Sequence, residues 1–312
     1  MPRAAAGSTV LAVSPAALSL PPHYLIGIDG GGSGTRARLQ DRQGRLLGQG
    51  QAGPSGLSNA GALAWDHVLE AIAQAFGQAG LPTAPPGDCA IGIGLAGAGS
   101  ATRAEAFRRQ APAFAALALD SDAAAALLGA FAGRPGLLIA AGTGSVAMLQ
   151  TPEGSRRLAG GWGFGVGDEG SGAWLGQQAV RLAQQALDGR AAAGALAHAV
   201  WQVTGSDRTS LLNWVRLAGQ AEHAALAPSV FALAGDDPAA ARLLDQAAGE
   251  LAALAQALDP AAALPVVISG SLGRRLQALM PAELQARCVA PVGDATQGAL
   301  LLLSEATAAL RP

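Results

Sequence analysis

The amino-acid sequence predicts a mixed α/β protein of two domains, and three observations support this. Apolar runs typical of strands alternate with longer amphipathic runs typical of helices. The chain has 312 residues, of which 50% are hydrophobic and 13% charged, enough for two domains with their own cores. A strand, a glycine-rich turn and a second strand occur once on each side of a Gly/Pro-rich stretch at residues 133–136.

The first of these units covers residues 24–40. Its apolar first strand ends at Asp29, and four of the next five residues are Gly. Main-chain amides of such a turn can approach an anion without interference from Cβ atoms, which suits phosphate. A carboxylate beside it suits a Mg²⁺ ion that keeps most of its waters. A tight hairpin with several positive φ angles explains the same residues without a ligand.

Further candidate positions follow in the first half of the chain. A third strand is predicted over residues 45–51, and a Gly/Ser-rich loop leads into a helix over residues 63–79; Asn59, before that helix, either caps it or contacts a ligand. A short strand over residues 115–119 ends at Asp120 and Asp122, just before a helix. Carboxylates at the carboxyl ends of strands are where α/β sheets hold their chemistry, although one of the two can serve as an N-cap.

The second domain begins with the same pattern. A strand over residues 137–141 is followed by Gly142-Thr143-Gly144-Ser145 and another strand. Two such hairpins facing each other would hold one polyphosphate from both sides. The loop 160–172 then combines Trp162 with two adjacent acids, a combination typical of sugar binding, although Trp162 also fits simple packing. A late strand over residues 264–269 ends in glycines that suit a base or ribose.

Composition excludes several classes of function. All 20 basic residues are Arg, so the P-loop, the protein-kinase lysine and Schiff-base chemistry are excluded. The net charge of −2 gives no electrostatic case for nucleic acid or an anionic membrane. The two cysteines, Cys89 and Cys288, are far apart in apolar runs and indicate buried thiols in a reducing cytoplasm.

Residues 1–22 are rich in Ala, Ser and Pro, and we expect a disordered extension there rather than a secretion signal. No uninterrupted apolar run reaches the ~18 residues of a membrane span. A cytoplasmic location is predicted, as the two cysteines indicate.

The chain resembles the actin-like ATPase superfamily in five motifs and in their order. These are Asp29-Gly-Gly-Gly-Ser-Gly-Thr35, Gly142-Thr-Gly-Ser145, Gly160-Gly-Trp-Gly, Gly167-Asp-Glu-Gly-Ser171 and Gly270-Ser271. Within it they resemble the N-acetylglucosamine kinase group of the BadF/BadG/BcrA/BcrD ATPases. The resemblance covers nearly everything after residue 23. It implies two RNase H-like domains, residues 23–134 and 135–298, with ATP and Mg²⁺ in the cleft between them. It also implies that a last helix, residues 299–312, returns to the first domain.

The resemblance also implies roles for individual residues. Asp122 matches the catalytic base, and Asp29 the carboxylate near Mg²⁺, through water. The implied phosphate and nucleoside contacts are Gly30, Gly31, Gly32, Ser33, Thr35, Gly142, Thr143, Gly144, Ser145, Gly270 and Ser271. The implied sugar contacts are Asn59, Gly97, Gly161, Trp162, Asp168, Ser171 and Gly172.

Two departures from the family pattern are Gly34, where a basic residue often stands, and Ala96, near which a sugar-contacting Ser can occur. The implied reaction is in-line phosphoryl transfer from ATP to the primary 6-hydroxyl of N-acetylglucosamine or glucosamine, and a homodimer fits the family. Two alternatives stay open: an ATPase activator of a 2-hydroxyacyl-CoA dehydratase, which needs an Fe–S cluster between subunits, and a non-catalytic regulator that binds sugar or ATP. A nucleotide-dependent switch of the chaperone or filament kind is a third alternative, but it would leave the sugar-type loop 160–172 without a function.

Overall fold

The structure is a computed structural model and describes residues 10–13, 22–57 and 61–308. Its strands are β1 (Val10–Val13), β2 (Tyr24–Gly30), β3 (Thr35–Asp41), β4 (Leu46–Ala52), β5 (Cys89–Leu95), β6 (Ala116–Ser121), β7 (Gly136–Ala141), β8 (Ser145–Gln150), β9 (Arg156–Gly160) and β10 (Val266–Ser269).

The helices, with short 3₁₀ turns besides, are α1 (Ala64–Gln78), α2 (Ala101–Arg109), α3 (Asp122–Phe131), α4 (Gly172–Leu187), α5 (Ala195–Thr204), α6 (Arg208–Leu217), α7 (Gln220–Ala224), α8 (Ala227–Leu233), α9 (Pro238–Leu258), α10 (Ser271–Leu276), α11 (Ala282–Gln285) and α12 (Ala295–Ala308). Among the described residues, no helix has the length and apolar character needed to cross a membrane.

The chain forms two compact units. The first holds the residues up to Gly136 together with Gln150–Arg156 and the residues from Ala290 onward; the second holds Leu137–Leu149 and Arg157–Val289. Compared with the predicted domains, the chain returns to the first unit at residue 290 rather than 299, and the turn after β8 also belongs to it. The turn after β8 belongs to the first unit because of two contacts at its ends. Gln150 Nε2 donates to the Gly133 carbonyl oxygen at 2.6 Å, and Arg156 pairs with Asp120 at 3.4 Å.

The sheet of the first unit has the order β1-β6-β5-β2-β3-β4. β2, β3 and β4 form an antiparallel meander, while β5 and β6 run parallel to β2. Every residue of β5 is buried, as expected of a central strand covered on both faces. On one face, α1 buries Trp65, Val68, Ile72 and Phe76 at helical spacing.

The other face of this sheet is covered by α12, which approaches closely because the strands carry glycine there. A Cβ atom on Gly92 of β5 would lie 1.8 Å from the Ala299 carbonyl oxygen. α12 also crosses α3 backbone to backbone, since a Cβ on Gly298 would lie 1.7 Å from the Ala125 carbonyl oxygen and one on Gly129 1.9 Å from that of Asp294. This contact fixes α3, whose first residue is Asp122.

β1 differs from the disordered extension predicted over residues 1–22. Residues 10–13 pair antiparallel with β6. The run Val-Leu-Ala-Val has high β-propensity, and it covers an edge of the sheet that would otherwise expose unpaired backbone groups. Residues 1–9 and 14–21 lie outside the described part of the chain.

The sheet of the second unit has the order β10-β7-β8-β9, which repeats the order β5-β2-β3-β4 of the first. β10 pairs parallel with β7, as β5 does with β2. Outside these four strands, Cys288 forms one isolated parallel bridge with Val266. The core of this unit lies between the sheet and helices that include α4 and α9, and its buried side chains include Ile139 of β7, Leu175 of α4 and Leu251 of α9.

Candidate active site

The glycine-rich turn of the first unit presents bare backbone to solvent. The Gly31 amide donates to the Gly34 carbonyl oxygen at 2.9 Å and closes the turn. The amides of Gly32 and Ser33, both exposed, have no acceptor within the described part of the chain. Gly30 leaves room for the loop after β4, because a Cβ there would lie 2.1 Å from Ser55 Oγ. Unpaired amides on a tight turn have the chemistry that suits an anion such as phosphate.

The hydroxyl of Thr35, a predicted phosphate contact, has partners within the protein. Its side chain is buried, and its hydroxyl donates to the Gly53 carbonyl oxygen at 2.6 Å and lies 2.7 Å from Ser55 Oγ. These contacts tie β3 to the loop after β4. Asn59, the predicted sugar contact beyond this loop, lies outside the described residues.

Asp29 is held by a residue that sequence reasoning missed. The β2–β3 register places Asp29 opposite Arg36, and Arg36 Nε donates to Asp29 Oδ2 at 3.0 Å, with Nη2 on the same oxygen. The Arg36 side chain is 57% exposed. A cation thus stands two residues beyond Gly34. The alternating pattern of β3 marks Arg36 as lying on its polar face. Its partner on β2, however, depends on the register of the two strands.

Asp122 lies where β6 ends and α3 begins. Ser121, not an aspartate, caps the helix: its Oγ accepts from the Ala124 amide at 3.2 Å. Asp122 Oδ1 accepts from the Ala123 amide at 3.0 Å. Burial raises the pKa of Asp122 to about 6, and the charge of Asp29 acts in the same direction. A carboxylate with such a pKa is suited to accept a proton near neutral pH.

Gly97 lies in the loop after β5, with φ at 86°, where a side chain would be strained. The neighbouring Ala96 amide donates to the Gly30 carbonyl oxygen at 2.9 Å, and its carbonyl accepts from the Leu57 amide at 2.8 Å. The loops that follow β2, β4 and β5 therefore meet at one edge of the sheet, where α3 also begins.

The turn of the second unit repeats the first. The Gly142 amide donates to the Gly144 carbonyl oxygen at 2.9 Å, and the amides of Thr143 and Gly144 have no acceptor among the described residues. Ser145, a predicted phosphate contact, has a buried hydroxyl that donates to the Glu169 carbonyl oxygen at 2.7 Å. It joins the turn to the loop that carries Asp168.

Within that loop, Trp162 and Asp168 have opposite environments. Trp162 is 78% exposed, so the alternative of simple packing is wrong. Asp168 is 4% exposed, and its φ of 59° is in the left-handed region. Gly161, beside Trp162, has φ at 71° and supplies the turn.

The Asp168 carboxyl is fixed by two donors. Oδ1 accepts from the Ser145 amide at 3.3 Å, and Oδ2 accepts from Gln220 Nε2 at 2.7 Å. Burial raises the pKa of Asp168, while these hydrogen bonds lower it. Gln220 was missed by the sequence analysis because it is 52 residues away and no local motif marks it.

Ser171 and Gly172, two predicted sugar contacts, have hydrogen-bond partners within the protein. Ser171 is fully buried and caps α4, accepting from the Trp174 amide at 3.1 Å. The Gly172 amide donates to the Gly142 carbonyl oxygen at 2.8 Å. Both residues hold the loop against the glycine turn.

Gly270 and Ser271 lie between β10 and α10. Gly270 has φ at 82°, and a Cβ there would lie 2.1 Å from the Ala141 carbonyl oxygen, so glycine is required. Ser271 is exposed. This bare backbone beside the end of β7 is where the sequence predicts the nucleoside.

Comparison with known proteins agrees with these features. The model of the BadF/BadG/BcrA/BcrD ATPase family matches residues 26–302. The glucosamine kinase of Vibrio cholerae is 33% identical over 280 residues, which cover 89% of this chain and 95% of that protein. The N-acetylmuramic acid/N-acetylglucosamine kinase of Clostridium acetobutylicum is 34% identical over 172 residues, or 54% of this chain and 55% of that protein.

A solved structure from Chromobacterium violaceum, described as a candidate N-acetylglucosamine kinase, is 48% identical with a TM-score of 0.86, covering 90% of this chain and 99% of that one. The predicted fold class of two RNase H-like domains is confirmed, and so is the resemblance drawn from the motifs. The chain belongs to the BadF/BadG/BcrA/BcrD ATPase family.

Proposed function

We propose that the chain is an ATP-dependent amino-sugar kinase that phosphorylates the primary 6-hydroxyl of N-acetylglucosamine or glucosamine. The observation that carries this proposal is Asp122, a carboxyl with a pKa of about 6 that is close enough to Asp29, just before the glycine-rich turn, to be affected by its charge. The names of the related kinases of Vibrio cholerae and Clostridium acetobutylicum support an amino sugar as acceptor.

Asp122 is the proposed general base. Its Oδ1 accepts from the Ala123 amide, and Oδ2 has no hydrogen bond to another residue in the described part of the chain. That oxygen takes the proton of the sugar hydroxyl as the hydroxyl oxygen attacks the γ-phosphorus and the bond to ADP breaks. Such assistance accelerates transfer by roughly 10²–10⁴.

The second requirement is that the negative charge of the phosphates be stabilised. This chain is proposed to do so without lysine. The amides of Gly32, Ser33, Thr143 and Gly144 are proposed to donate to phosphate oxygens. Arg36, which donates to Asp29, adds positive charge near the glycine-rich turn between β2 and β3.

The residues present also fit Mg²⁺. Mg²⁺ is usually held by one or two carboxylates, phosphates and water, so a dedicated protein cluster is unnecessary. Asp29 would hold it, because Arg36 occupies only Oδ2. When bound, the ion neutralises developing charge on the phosphates. Among the described residues, no three acidic, His or Cys groups form a metal cluster.

On the acceptor side, Trp162 and Asp168 are the proposed sugar contacts. An exposed indole offers a face for stacking, and a carboxylate accepts hydroxyl protons. Gly97 and Gly161 supply backbone near the sugar in this proposal, while Thr35, Ser145 and Ser171 support the loops from within. The proposal also includes a homodimer, which fits the resemblance. From the net charge and the two cysteines, it further includes a cytoplasmic location without a nucleic-acid or membrane partner.

A coupled assay of ADP release with Mg-ATP and a panel of amino sugars tests the proposal. Glucosamine, N-acetylglucosamine and an N-acetylmuramic-type sugar are expected to divide into substrates and non-substrates, and the product of a substrate should carry phosphate on C6 by NMR. Glucosamine blocked at C6 is the matched control and should give no turnover. ATP hydrolysis that is equal with and without every sugar would contradict the proposal.

The pH profile is a second prediction. A general base acts deprotonated, so kcat/KM is expected to fall as pH decreases through about 6, the raised pKa of Asp122. For an unperturbed Asp the fall would come near pH ~4. A profile that stays flat down to about pH 5, measured with a sugar without a titratable amine, would show that another group accepts the proton.

One observation disfavours the dehydratase activator. Cys89 is buried within β5, and burial raises the pKa of its thiol to about 11, whereas a cluster ligand must be a thiolate. Purified protein that is colourless after iron and sulfide reconstitution would exclude this function.

A further inference from the structure

Among the described residues, Gln220 is the side chain that holds the carboxylate of Asp168 from outside the loop 160–172. Its Nε2 donates to Asp168 Oδ2 at 2.7 Å, a shorter contact than the 3.3 Å from the Ser145 amide to Oδ1. The Asp168 backbone is left-handed, a conformation that persists in a non-glycine residue only where its surroundings impose it. Gln220 is part of that surrounding structure.

Gln220 is delivered by α7, a five-residue helix that is itself firmly placed. A Cβ on Gly176 of α4 would lie 1.8 Å from the His223 carbonyl oxygen, so the two helices touch through their backbones. The buried His223 ring lies 4.9 Å from the ring of Phe164 and 4.9 Å from that of Trp214. α7 therefore contacts the loop at two points, through Phe164 and through Asp168.

The chemistry of an amide donor matters here. An Arg in the place of Gln220 would neutralise Asp168 and weaken it as an acceptor for hydroxyl groups, whereas a neutral amide orients the carboxylate and leaves its charge available. One carboxylate offers about four acceptor positions, and the two donors leave the others unused. Burial favours protonation of Asp168, and the hydrogen bonds from Ser145 and Gln220 oppose it.

We propose that Gln220 is a positioning residue for the acceptor sugar: it orients the Asp168 carboxylate toward the sugar hydroxyls, and α7 couples that orientation to the loop carrying Trp162. The inference deepens the proposed function and rests on it. It assigns to the helical region after α4 a part in sugar recognition.

Gln220→Leu removes the donor at nearly constant size. Because hydrogen bonds to charged groups are worth about ten- to hundredfold in affinity, KM for the sugar is expected to rise by roughly that factor. KM for ATP should change by less than about twofold. Gln202→Leu, on the exposed part of α5, is the matched control and should behave as the wild type.

Gln220→Glu separates positioning from a general loss of structure. At about pH 8 two carboxylates would face each other and weaken sugar binding as much as the Leu variant does; at about pH 5.5 a shared proton restores the hydrogen bond. The other charged groups nearby are Glu169 in the loop, and Glu222 and His223 on α7; Glu222 is occupied by the Gly219 amide. Sugar affinity by calorimetry, relative to the wild type at each pH, should therefore recover at the lower pH.

The outcomes are distinct. An unchanged sugar KM in the Leu variant of an active kinase would overturn the inference alone. The same holds if both KM values and the melting temperature change together without recovery of the Glu variant at low pH, because that pattern indicates a purely structural role. A wild type that phosphorylates no amino sugar would overturn the proposed function, and this inference with it.

Discussion

Asp122→Asn is expected to lower kcat by roughly 10²–10⁴ while the affinity for ATP changes little. The substitution keeps the size of the side chain and its hydrogen bond from the Ala123 amide, but an amide cannot accept the proton of the sugar hydroxyl. Removing a partly buried carboxyl whose pKa is raised by burial should not destabilise the fold. Turnover is measured by the coupled assay, and ATP binding by calorimetry.

Asp66→Asn is the matched control, because Asp66 also lies in the first turn of a helix, α1, but is exposed. It should retain wild-type turnover. Turnover by Asp122→Asn within about tenfold of the wild type would show that this carboxyl is not the base. A combined loss of turnover and ATP affinity would instead assign Asp122 to nucleotide binding.

Gly298→Ala is expected to destabilise the protein by about 3 kcal/mol, at the upper end of the usual range for overpacking. The added methyl group would lie 1.7 Å from the Ala125 carbonyl oxygen and 2.5 Å from the Gly129 nitrogen, both main-chain atoms that cannot move aside alone. α3 and α12 would have to separate, and Asp122 at the start of α3 would move with them. Chemical denaturation followed by circular dichroism measures the loss.

The control for this prediction is Gly249→Ala in α9, where a Cβ would meet no atom within 4 Å. There alanine should stabilise by up to about 1 kcal/mol, because it favours the helical backbone. Equal stability of the two variants would contradict the close crossing of α3 and α12.

The sequence predicted the features that depend on local pattern. The β2–β3 and β7–β8 hairpins follow from apolar alternation interrupted by glycine, and the placement of Asp122 at the end of β6 follows from the strand-to-helix transition. The family resemblance was also readable, because it depends on motif order rather than on packing.

Features that depend on register and distant packing were not readable. Arg36 meets Asp29 only because the β2–β3 ladder aligns them, and Gln220 meets Asp168 only because α7 packs on α4. Likewise, the hydroxyls of Thr35 and Ser145 belong to a phosphate motif in sequence, yet burial commits them to loop carbonyl oxygens. A motif identifies residues near a ligand, but burial decides which of their atoms face it.

The unpaired amides of Gly32, Ser33, Thr143 and Gly144 have a consequence for covalent modification and mutation. A main-chain N–H has no side-chain head group to acetylate, methylate or exchange for another residue, and it does not titrate in the physiological range. Phosphate affinity built on such groups should thus resist amine-directed reagents and changes of acidity. Such affinity is sensitive to backbone geometry instead. Substitutions in the two glycine-rich turns would therefore change phosphate affinity by altering the shape of the turn rather than its charge.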